Sequence, residues 1–362
     1  MPKMTISRFN RMITMAIRLI VGIGLGYFLI HLTLKYTGTD LLGEVFDANK
    51  PILIFACLFD GALFSLTICR WNLLLRVQGI YLKIWDLIRL TMIGNFFSLA
   101  LPGAAGGDLL KMAYLTGYTK SKKMEGALTV LLDRLLGVLG LFILAAVMLV
   151  LYLPFLIDLD RGYLPIKITA FIVGLASMTS IFGIFLAGKS RALMRYRWMI
   201  SLVDCGKRKL PASVVLALGR LVDALDLYDQ NRSTVIIAVI LSVLGHMGVA
   251  INLFAIGAAV GENSLQMGDY FLAVTVSNAV AGIPITPGGI GTRDATAAMF
   301  FVALGTSAAK AGVVPVIFTL IIVFWGLVGG IFFMISRFPK YETQPWKSSL
   351  RIKGDLDNSH GT

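Results

Sequence analysis

The chain alternates long apolar runs with short polar segments, and six of the runs are long enough to cross a bilayer. They cover about residues 16–34, 51–69, 124–153, 166–187, 233–257 and 311–335. A helix needs roughly 20 consecutive apolar residues to span the hydrocarbon core of a membrane. The pattern therefore predicts an all-α integral membrane protein with six full spans.

Two further apolar segments, at about 84–118 and 268–305, are interrupted in the middle by proline and glycine. Each carries an asparagine before the break, and each resumes as a helix with a charged residue in its first turn. The residues that mark the breaks are Asn95, Pro102, Gly103, Asn278, Pro284 and Pro287. Paired breaks in the two halves of a chain are typical of a transporter built from inverted repeats, with its site near the membrane midplane.

The distribution of basic residues predicts how these segments lie in the membrane, because lysine and arginine collect in cytoplasmic loops. Lys120, Lys122 and Lys123 follow the first broken segment, and they lie in the cytoplasm only if that segment enters and leaves on one side. The loops that carry Glu262 and Lys310 then lie outside. Both broken segments are therefore predicted to be re-entrant helical hairpins that enter from opposite faces, as in an inverted-topology repeat.

This placement puts both termini in the cytoplasm and the protein in the cell inner membrane. The predicted divisions are 1–187 for the first repeat and the first span of the second, 188–232 for a basic amphipathic cytoplasmic segment, 233–335 for the rest of the second repeat, and 336–362 for a cytoplasmic tail. The alternative is that both broken segments cross fully as kinked helices, which would leave the three lysines after the first one outside.

Composition excludes several classes of protein. Apolar residues make up 57% of the 362 residues and charged residues 15%, whereas soluble domains have about 25% charged residues. The net charge of +13 is explained by cytoplasmic loops, for which membrane lipids with anionic head groups are the natural partner, and nucleic acid is not expected. The cysteines and histidines do not cluster, so we expect neither a metal site nor a cofactor. No motif for nucleophilic catalysis or nucleotide binding is present, so no catalytic residue is predicted.

The first candidate site follows the first break, where Gly106, Gly107 and Asp108 open a short helix. Free backbone N–H groups and the helix dipole favour anions at such a position. The glycines allow a head group to approach the backbone. Lys111 follows three residues later and faces the same side as Asp108. The structural alternative is that Asp108 only caps the helix.

The second break repeats this pattern in the other half. Its candidate lipid-binding or anion-binding residues are Gly288, Gly289, Gly291, Thr292, Arg293 and Asp294. An arginine within the membrane is costly, and its planar guanidinium suits bidentate contact with a phosphate. The structural alternative is an ion pair between Arg293 and Asp108, Asp133 or Asp294.

Charged residues also lie inside the predicted spans. Asp133 and Arg134 are about ten residues into the third span, and charges within the membrane are functional candidates. Adjacent residues do not face each other on a helix, so each is expected to pair elsewhere. Asp60 is a similar but weaker case. Arg70 lies near the end of the second span, where an arginine can extend to the membrane edge.

Four stretches resemble one known family: Arg70-Trp71, NFFSLALPGAAGGD from Asn95, LLDRLLG around Asp133, and PITPGGIGTRD, which ends at Asp294. They look like the lysylphosphatidylglycerol synthase transmembrane-region family, also called flippase-like, over about residues 15–335. The family pattern has Glu where this chain has Asp294. The resemblance implies movement of aminoacylated phosphatidylglycerol or other lipids between leaflets. The soluble aminoacyl-transfer domain of the bifunctional synthases has no counterpart here, so we do not expect lysyl transfer.

These observations favour a flippase-like membrane protein that moves an anionic (amino)phospholipid or a polyprenyl-phosphate lipid between leaflets. The alternatives are a membrane-embedded lipid-modifying enzyme that uses Asp108 and Asp133, and a non-transporting scaffold of a lipid or envelope pathway. A second copy of the chain and a separate lipid-synthesis enzyme are the candidate protein partners.

Overall fold

The computed structural model describes residues 47–100, 105–119, 122–188, 227–228, 230–283, 286 and 288–336. Within these ranges the ordered elements are helices, and no strand is present. In chain order they are α1 (Lys50–Val77), α2 (Ile84–Ala100), α3 (Ala105–Leu115), α4 (Lys123–Leu151), α5 (Leu153–Asp158), α6 (Leu164–Gly188), α7 (Arg232–Ala259), α8 (Met267–Ala281), α9 (Thr292–Ala303) and α10 (Ala308–Ile335). A 3₁₀ turn at Arg161–Tyr163 joins α5 to α6.

Five of the described helical stretches are long and apolar enough to cross a membrane. They are α1, α4, α7, α10 and Arg161–Gly183, which contains most of α6. These stretches correspond to five of the six predicted spans, and the all-α membrane prediction is confirmed. The remaining span, at about 16–34, lies outside the described residues, as do most of 188–232 and of 336–362.

Each broken segment forms two short helices that pack against each other, α2 with α3 and α8 with α9. Their lengths are 17 and 11 residues in the first pair and 15 and 12 residues in the second. At 1.5 Å per residue, even the longest reaches only about 25 Å, less than the roughly 30 Å hydrocarbon core. Pro102, Gly103, Pro284 and Pro287 fall between the paired helices and outside the described residues.

The first half of the chain, which ends with α4, packs against the second half, which begins with α6. α1 packs along α7, which is the second helix of the other half. α2 of the first broken segment packs against α10, and α8 of the second packs against α4. Each broken segment is therefore supported by the last long helix of the opposite half.

Aromatic side chains fill the core beside each broken segment. The ring of Phe97 lies 5.0 Å from that of Phe96 and 4.9 Å from that of Phe333, which joins α2 to α10. The Tyr270 ring lies 5.0 Å from that of Phe301 and 5.4 Å from that of Phe254, which joins α8 to α9 and α7. This packing fixes the short helices against the long ones.

The C-terminal end of α1 is capped by a glycine turn and a lysine. The N–H of Ile80 donates to the carbonyl of Leu75 at 2.9 Å, across Gly79, whose φ is 64°. A left-handed glycine with this hydrogen bond is a common helix ending. The ammonium group of Lys122, just before α4, then donates to the carbonyl of Gln78 at 2.8 Å.

The end of α7 is closed in the same way. The N–H of Glu262 donates to the carbonyl of Gly257 at 2.8 Å, across Gly261, whose φ is 71°. The ammonium group of Lys310, in the first turn of α10, donates to the carbonyl of Gly261. In both halves a lysine at the start of the long helix after the broken segment therefore caps the long helix before that segment.

The two lysine caps lie at opposite ends of the molecule. The N–H of Asn49, at the start of α1, donates to the carbonyl of Ala259, at the end of α7, at 2.8 Å. The end of α1 is therefore a full helix length away from the end of α7, about 40 Å for 28 residues at 1.5 Å per residue.

Candidate functional site

A cavity of about 480 Å³ lies between the two broken segments. Its wall contains residues of α1, α2, α3, α4, α7, α8, α9 and α10, together with Thr286, Gly288 and Gly289. The charged side chains that line it are Asp60, Arg70, Asp108, Lys111, Asp133, Arg134 and Arg293. The fold therefore brings both halves of the chain to one polar space surrounded by apolar helices.

Asp133 of α4 is the centre of a charged cluster in this wall. Its Oδ1 accepts from Nε of Arg70 at 2.7 Å, and its Oδ2 lies 3.7 Å from Nζ of Lys111. Nη1 of Arg70 also donates to Oγ of Ser242 at 2.8 Å, which connects α1 to α7. One carboxylate thus faces two cations, and the cluster joins three helices and the first broken segment.

Lys111 is held on its other side by an aromatic ring. Its ammonium group lies 3.6 Å from the centre of the Trp71 ring. The indole N–H of Trp71 donates to Oγ1 of Thr129 at 3.2 Å, which fixes the ring. A cation over the face of a tryptophan is stabilised electrostatically, and more so away from water.

Arg134 occupies a looser position than the other cations. Its Nε is 3.8 Å from Oδ2 of Asp108, and its side chain is 44% exposed. Asp133 and Arg134 therefore pair with different residues, as expected for neighbours on a helix. Lys111 is within ion-pair distance of Asp133, the carboxylate on α4, although the sequence spacing pointed to Asp108.

Arg293 lines the cavity from the second broken segment but is firmly anchored. Its guanidinium donates to Oγ1 of Thr319, and its Nε lies 3.3 Å from Oδ1 of Asp294. Thr319 in turn donates to that same Oδ1 at 2.8 Å. The other oxygen of Asp294 accepts from the N–H of Gly291 at 3.1 Å, which caps α9. The structure thus shows the ion pair between Arg293 and Asp294 that was the structural alternative. Arg293 also lines the cavity.

The glycines of the second break have two different roles. Gly288 and Gly289 line the cavity with φ values of 59° and 72°, a conformation that costs glycine little. Gly291, with a φ of 84°, precedes α9 and is not part of the wall. The Thr292 hydroxyl lies 3.1 Å from that of Thr286, within the turn.

In the first break, only part of the predicted glycine turn reaches the cavity. Asp108 lines it, whereas Gly106 and Gly107 do not. Gly107 lies against α2, where a Cβ atom would be 2.8 Å from the backbone nitrogen of Ser98. Gly107 therefore allows α3 to approach α2 closely.

The two asparagines of the broken segments, Asn95 and Asn278, both line the cavity. Nδ2 of Asn95 and Oγ1 of Thr91, one turn before it, are buried without a hydrogen-bond partner among the described residues. Hydrogen-bonding atoms of this kind are costly to leave unpaired. Both residues line the cavity, so a rotation of either side chain would bring an unused donor into it.

Sequence patterns missed or misplaced two residues of the cavity wall, Ser242 and Arg70. Arg70 was expected to extend to the membrane edge, and this was wrong, because its side chain is 11% exposed and binds Asp133. His246 and Ser242 of α7 also line the cavity, and His246 Nε2 lies 3.1 Å from the carbonyl of Gly137. Sequence spacing predicts the face of a helix on which a residue lies, but not which other helix packs against that face. Within the described ranges, no three metal-binding side chains come together.

Comparisons with known proteins indicate the family of this chain. A UPF0104 membrane protein of Methanothermobacter thermautotrophicus is 24% identical over 295 residues, which cover 78% of this chain and 85% of that protein. The model of the family described as "Lysylphosphatidylglycerol synthase TM region" matches residues 15–330. That match contains both broken segments, every charged residue of the cavity wall and the two lysine caps. The chain belongs to the lysylphosphatidylglycerol synthase TM region family.

Proposed function

We propose that this protein moves an anionic (amino)phospholipid or polyprenyl-phosphate lipid between the leaflets of the cell inner membrane. The observation that carries the proposal is the cavity between the two broken segments, with four cationic side chains in its wall: Arg70, Lys111, Arg134 and Arg293. Charged side chains within a membrane are expensive and mark the pathways of polar substrates. Cations lower the cost of bringing a phosphate into this environment.

The proposed architecture is six spans and two re-entrant hairpins in an inverted-topology repeat, with both termini cytoplasmic. Three findings support it: the short paired helices, the exchanged packing of α2 on α10 and of α8 on α4, and the matching lysine caps at opposite ends. In such a repeat, the two breaks meet at the substrate site. The 188–232 segment then lies on the cytoplasmic surface and gathers anionic lipid.

The size of the cavity suits the head group alone. About 480 Å³ is within the usual range of small-molecule sites, roughly 300–1,000 Å³. We therefore place the head group among the charged side chains and the acyl chains in the surrounding bilayer. Asn95 and Thr91 supply hydrogen bonds to it, and Arg134, the most exposed of the paired cations, contacts its phosphate.

The ion pairs of Asp108 and Asp133 favour transport over catalysis. Asp108 and Asp133 lie within 3.8 Å and 2.7 Å of an arginine, respectively. Ion pairs of this kind occupy the carboxylate oxygens, whereas a general acid or base needs access to the substrate proton. A separate lipid-synthesis enzyme then supplies the lipid, and a second copy of the chain is the other proposed partner.

The test is reconstitution into liposomes that contain fluorescent phosphatidylglycerol, with a membrane-impermeant quencher outside. Leaflet exchange without chemical change of the lipid supports the proposal, and Arg134→Gln should slow it at least tenfold. Arg161→Gln, a change at an exposed site on the turn before α6, is the matched control. Chemical conversion of the lipid would instead support the enzyme, and the absence of both would support the scaffold.

A further inference from the structure

Asp60 differs from the other carboxylates of the cavity wall. Asp108 and Asp133 each have a cationic partner within 4 Å, whereas no ion pair among the described residues includes Asp60. Asp60 lies ten residues into α1, about 15 Å along the helix, and is only 7% exposed. A carboxylate this deep in a membrane protein is costly to keep charged without a partner.

The neighbour of Asp60 across the helix interface is Asn252 of α7. Nδ2 of Asn252 lies 3.5 Å from Oδ1 of Asp60, a long distance for a hydrogen bond. Asn252 is fully buried at 0% exposure, and its Oδ1 has no hydrogen-bond partner among the described residues. The charged form of Asp60 can only accept, so it leaves this amide oxygen unpaired.

We propose that Asp60 and Asn252 form a proton-binding site that couples lipid movement to proton movement. A proton that binds Oδ2 of Asp60 creates an O–H group, which donates to Oδ1 of Asn252. The amide NH₂ donates back to the other carboxyl oxygen after a small rotation. The neutral pair thus satisfies the amide oxygen that the charged form leaves unpaired, and release of the proton reverses each step.

The charged groups around Asp60 and Asn252 either have partners of their own or lie about 15 Å away. Arg293 of α9 is the cation that interacts with Asp60, and Asp294 already neutralises it. Cys57 is one turn earlier on α1, and the Arg70–Asp133 pair is ten residues further along the same helix, about 15 Å away. A proton therefore changes the net charge of the cavity wall by one, without breaking another ion pair.

The consequence for transport rests on the proposed function. With Asp60 neutral, the charged carboxylates that line the wall are Asp108 and Asp133, and Asp294 pairs with Arg293. The wall then carries one negative charge less, so the cavity holds an anionic head group more strongly. Loss of the proton adds a negative charge and favours release. Because Asp60 and Asn252 belong to α1 and α7, one from each half, the same step alters the contact between the halves.

The first test measures proton binding without transport. Infrared spectra of the full-length protein in lipid should contain the C=O stretch of a protonated, buried carboxyl at mildly acidic pH, and the band should weaken as the pH rises. Asp60→Asn should remove that band, whereas Asp158→Asn, an exposed change on α5, should leave it. A wild-type spectrum without the band, or an Asp60→Asn spectrum that keeps it, overturns the proposal.

The second test imposes a pH gradient on liposomes that contain the protein and fluorescent phosphatidylglycerol. Wild-type exchange should change several-fold with the direction of the gradient, whereas exchange by Asp60→Asn, whose side chain stays neutral, should not depend on that direction. Equal dependence in both proteins would refute coupling through Asp60. If the wild type moves no lipid while the infrared band is present, the proposed function fails and the proton site stands.

Discussion

The ammonium group of Lys111 lies 3.6 Å from the centre of the Trp71 ring and 3.7 Å from Oδ2 of Asp133. The ring and the carboxylate hold this cation on two sides, in a position where only 5% of its side chain is exposed. Such contacts are worth about 2 kcal/mol or more when they are desolvated. Trp71 is therefore a positioning residue for a cation in the cavity wall.

This relationship predicts different outcomes for two substitutions of Trp71. Trp71→Phe keeps an aromatic face under Lys111 but loses the hydrogen bond to Thr129 and part of the ring. Leaflet exchange in liposomes should therefore stay within a few-fold of the wild type. Trp71→Leu removes the ring face and should slow exchange at least tenfold. Thermal unfolding in detergent separates folding from transport. Equal exchange by two equally folded variants would show that the ring does not act through Lys111.

Substitutions of Arg293 and Arg134 should differ in how much they lower the stability of the protein. Removal of one partner from a buried ion pair costs about 3–5 kcal/mol, so Arg293→Gln, which strands Asp294, should unfold the protein at a clearly lower temperature. Arg134 is 44% exposed, and loss of an exposed pair costs about 1 kcal/mol or less. Arg134→Gln should therefore fold normally and fail only in lipid exchange. A larger loss of stability for Arg134→Gln than for Arg293→Gln would contradict this assignment.

Sequence patterns predicted the long helices and the two breaks because apolar length and proline–glycine breaks are local properties. They also predicted that Asp133 and Arg134 pair with different residues, since helical geometry separates neighbours. The partners themselves depend on which helices meet. Arg70 approaches Asp133 only because α1 packs on α4. That contact between two helices cannot be predicted from the spacing of residues in the sequence.

Gly107 gives a test of the close approach between α2 and α3. A Cβ atom there would be 2.8 Å from the Ser98 backbone nitrogen, so Gly107→Ala should force the two helices apart. Overpacking of this kind typically costs about 1–3 kcal/mol. Gly312→Ala in α10 is the control, because a Cβ atom there meets nothing within 4 Å. Thermal unfolding in detergent should fall for the first variant and not for the second.

Glu262, in the loop after α7, predicts a pH dependence of stability. Burial raises the pKa of this carboxyl, but hydrogen bonds from Ser264 and the charge of Lys310 outweigh burial and hold the pKa below its ordinary value. A lowered pKa in the folded state stabilises the protein above the unfolded pKa, about 4.3, and this stabilisation is lost as pH falls through the folded pKa. Unfolding temperatures measured across acidic pH should therefore decline.

Substitution of Glu262 separates this contribution from those of other carboxylates. Glu262→Gln keeps the shape of the side chain and removes its titration, so the decline at acidic pH should become shallower. Asp160→Asn, an exposed change in the turn before α6, is the control and should follow the wild type. A Glu262→Gln curve that parallels the wild type would contradict the assignment.

The two lysine caps have a consequence for how the protein meets an asymmetric membrane. Lys122 and Lys310 bind carbonyl oxygens at opposite ends of the molecule, and an ammonium group at a membrane surface is also attracted by anionic lipids. In the proposed architecture, phosphates of each leaflet compete with the carbonyls for the lysine on their own side. Anionic lipids in one leaflet can therefore weaken the lysine cap at one end of the molecule while the cap at the other end is kept. The lipid composition of each leaflet then influences the conformation of the protein.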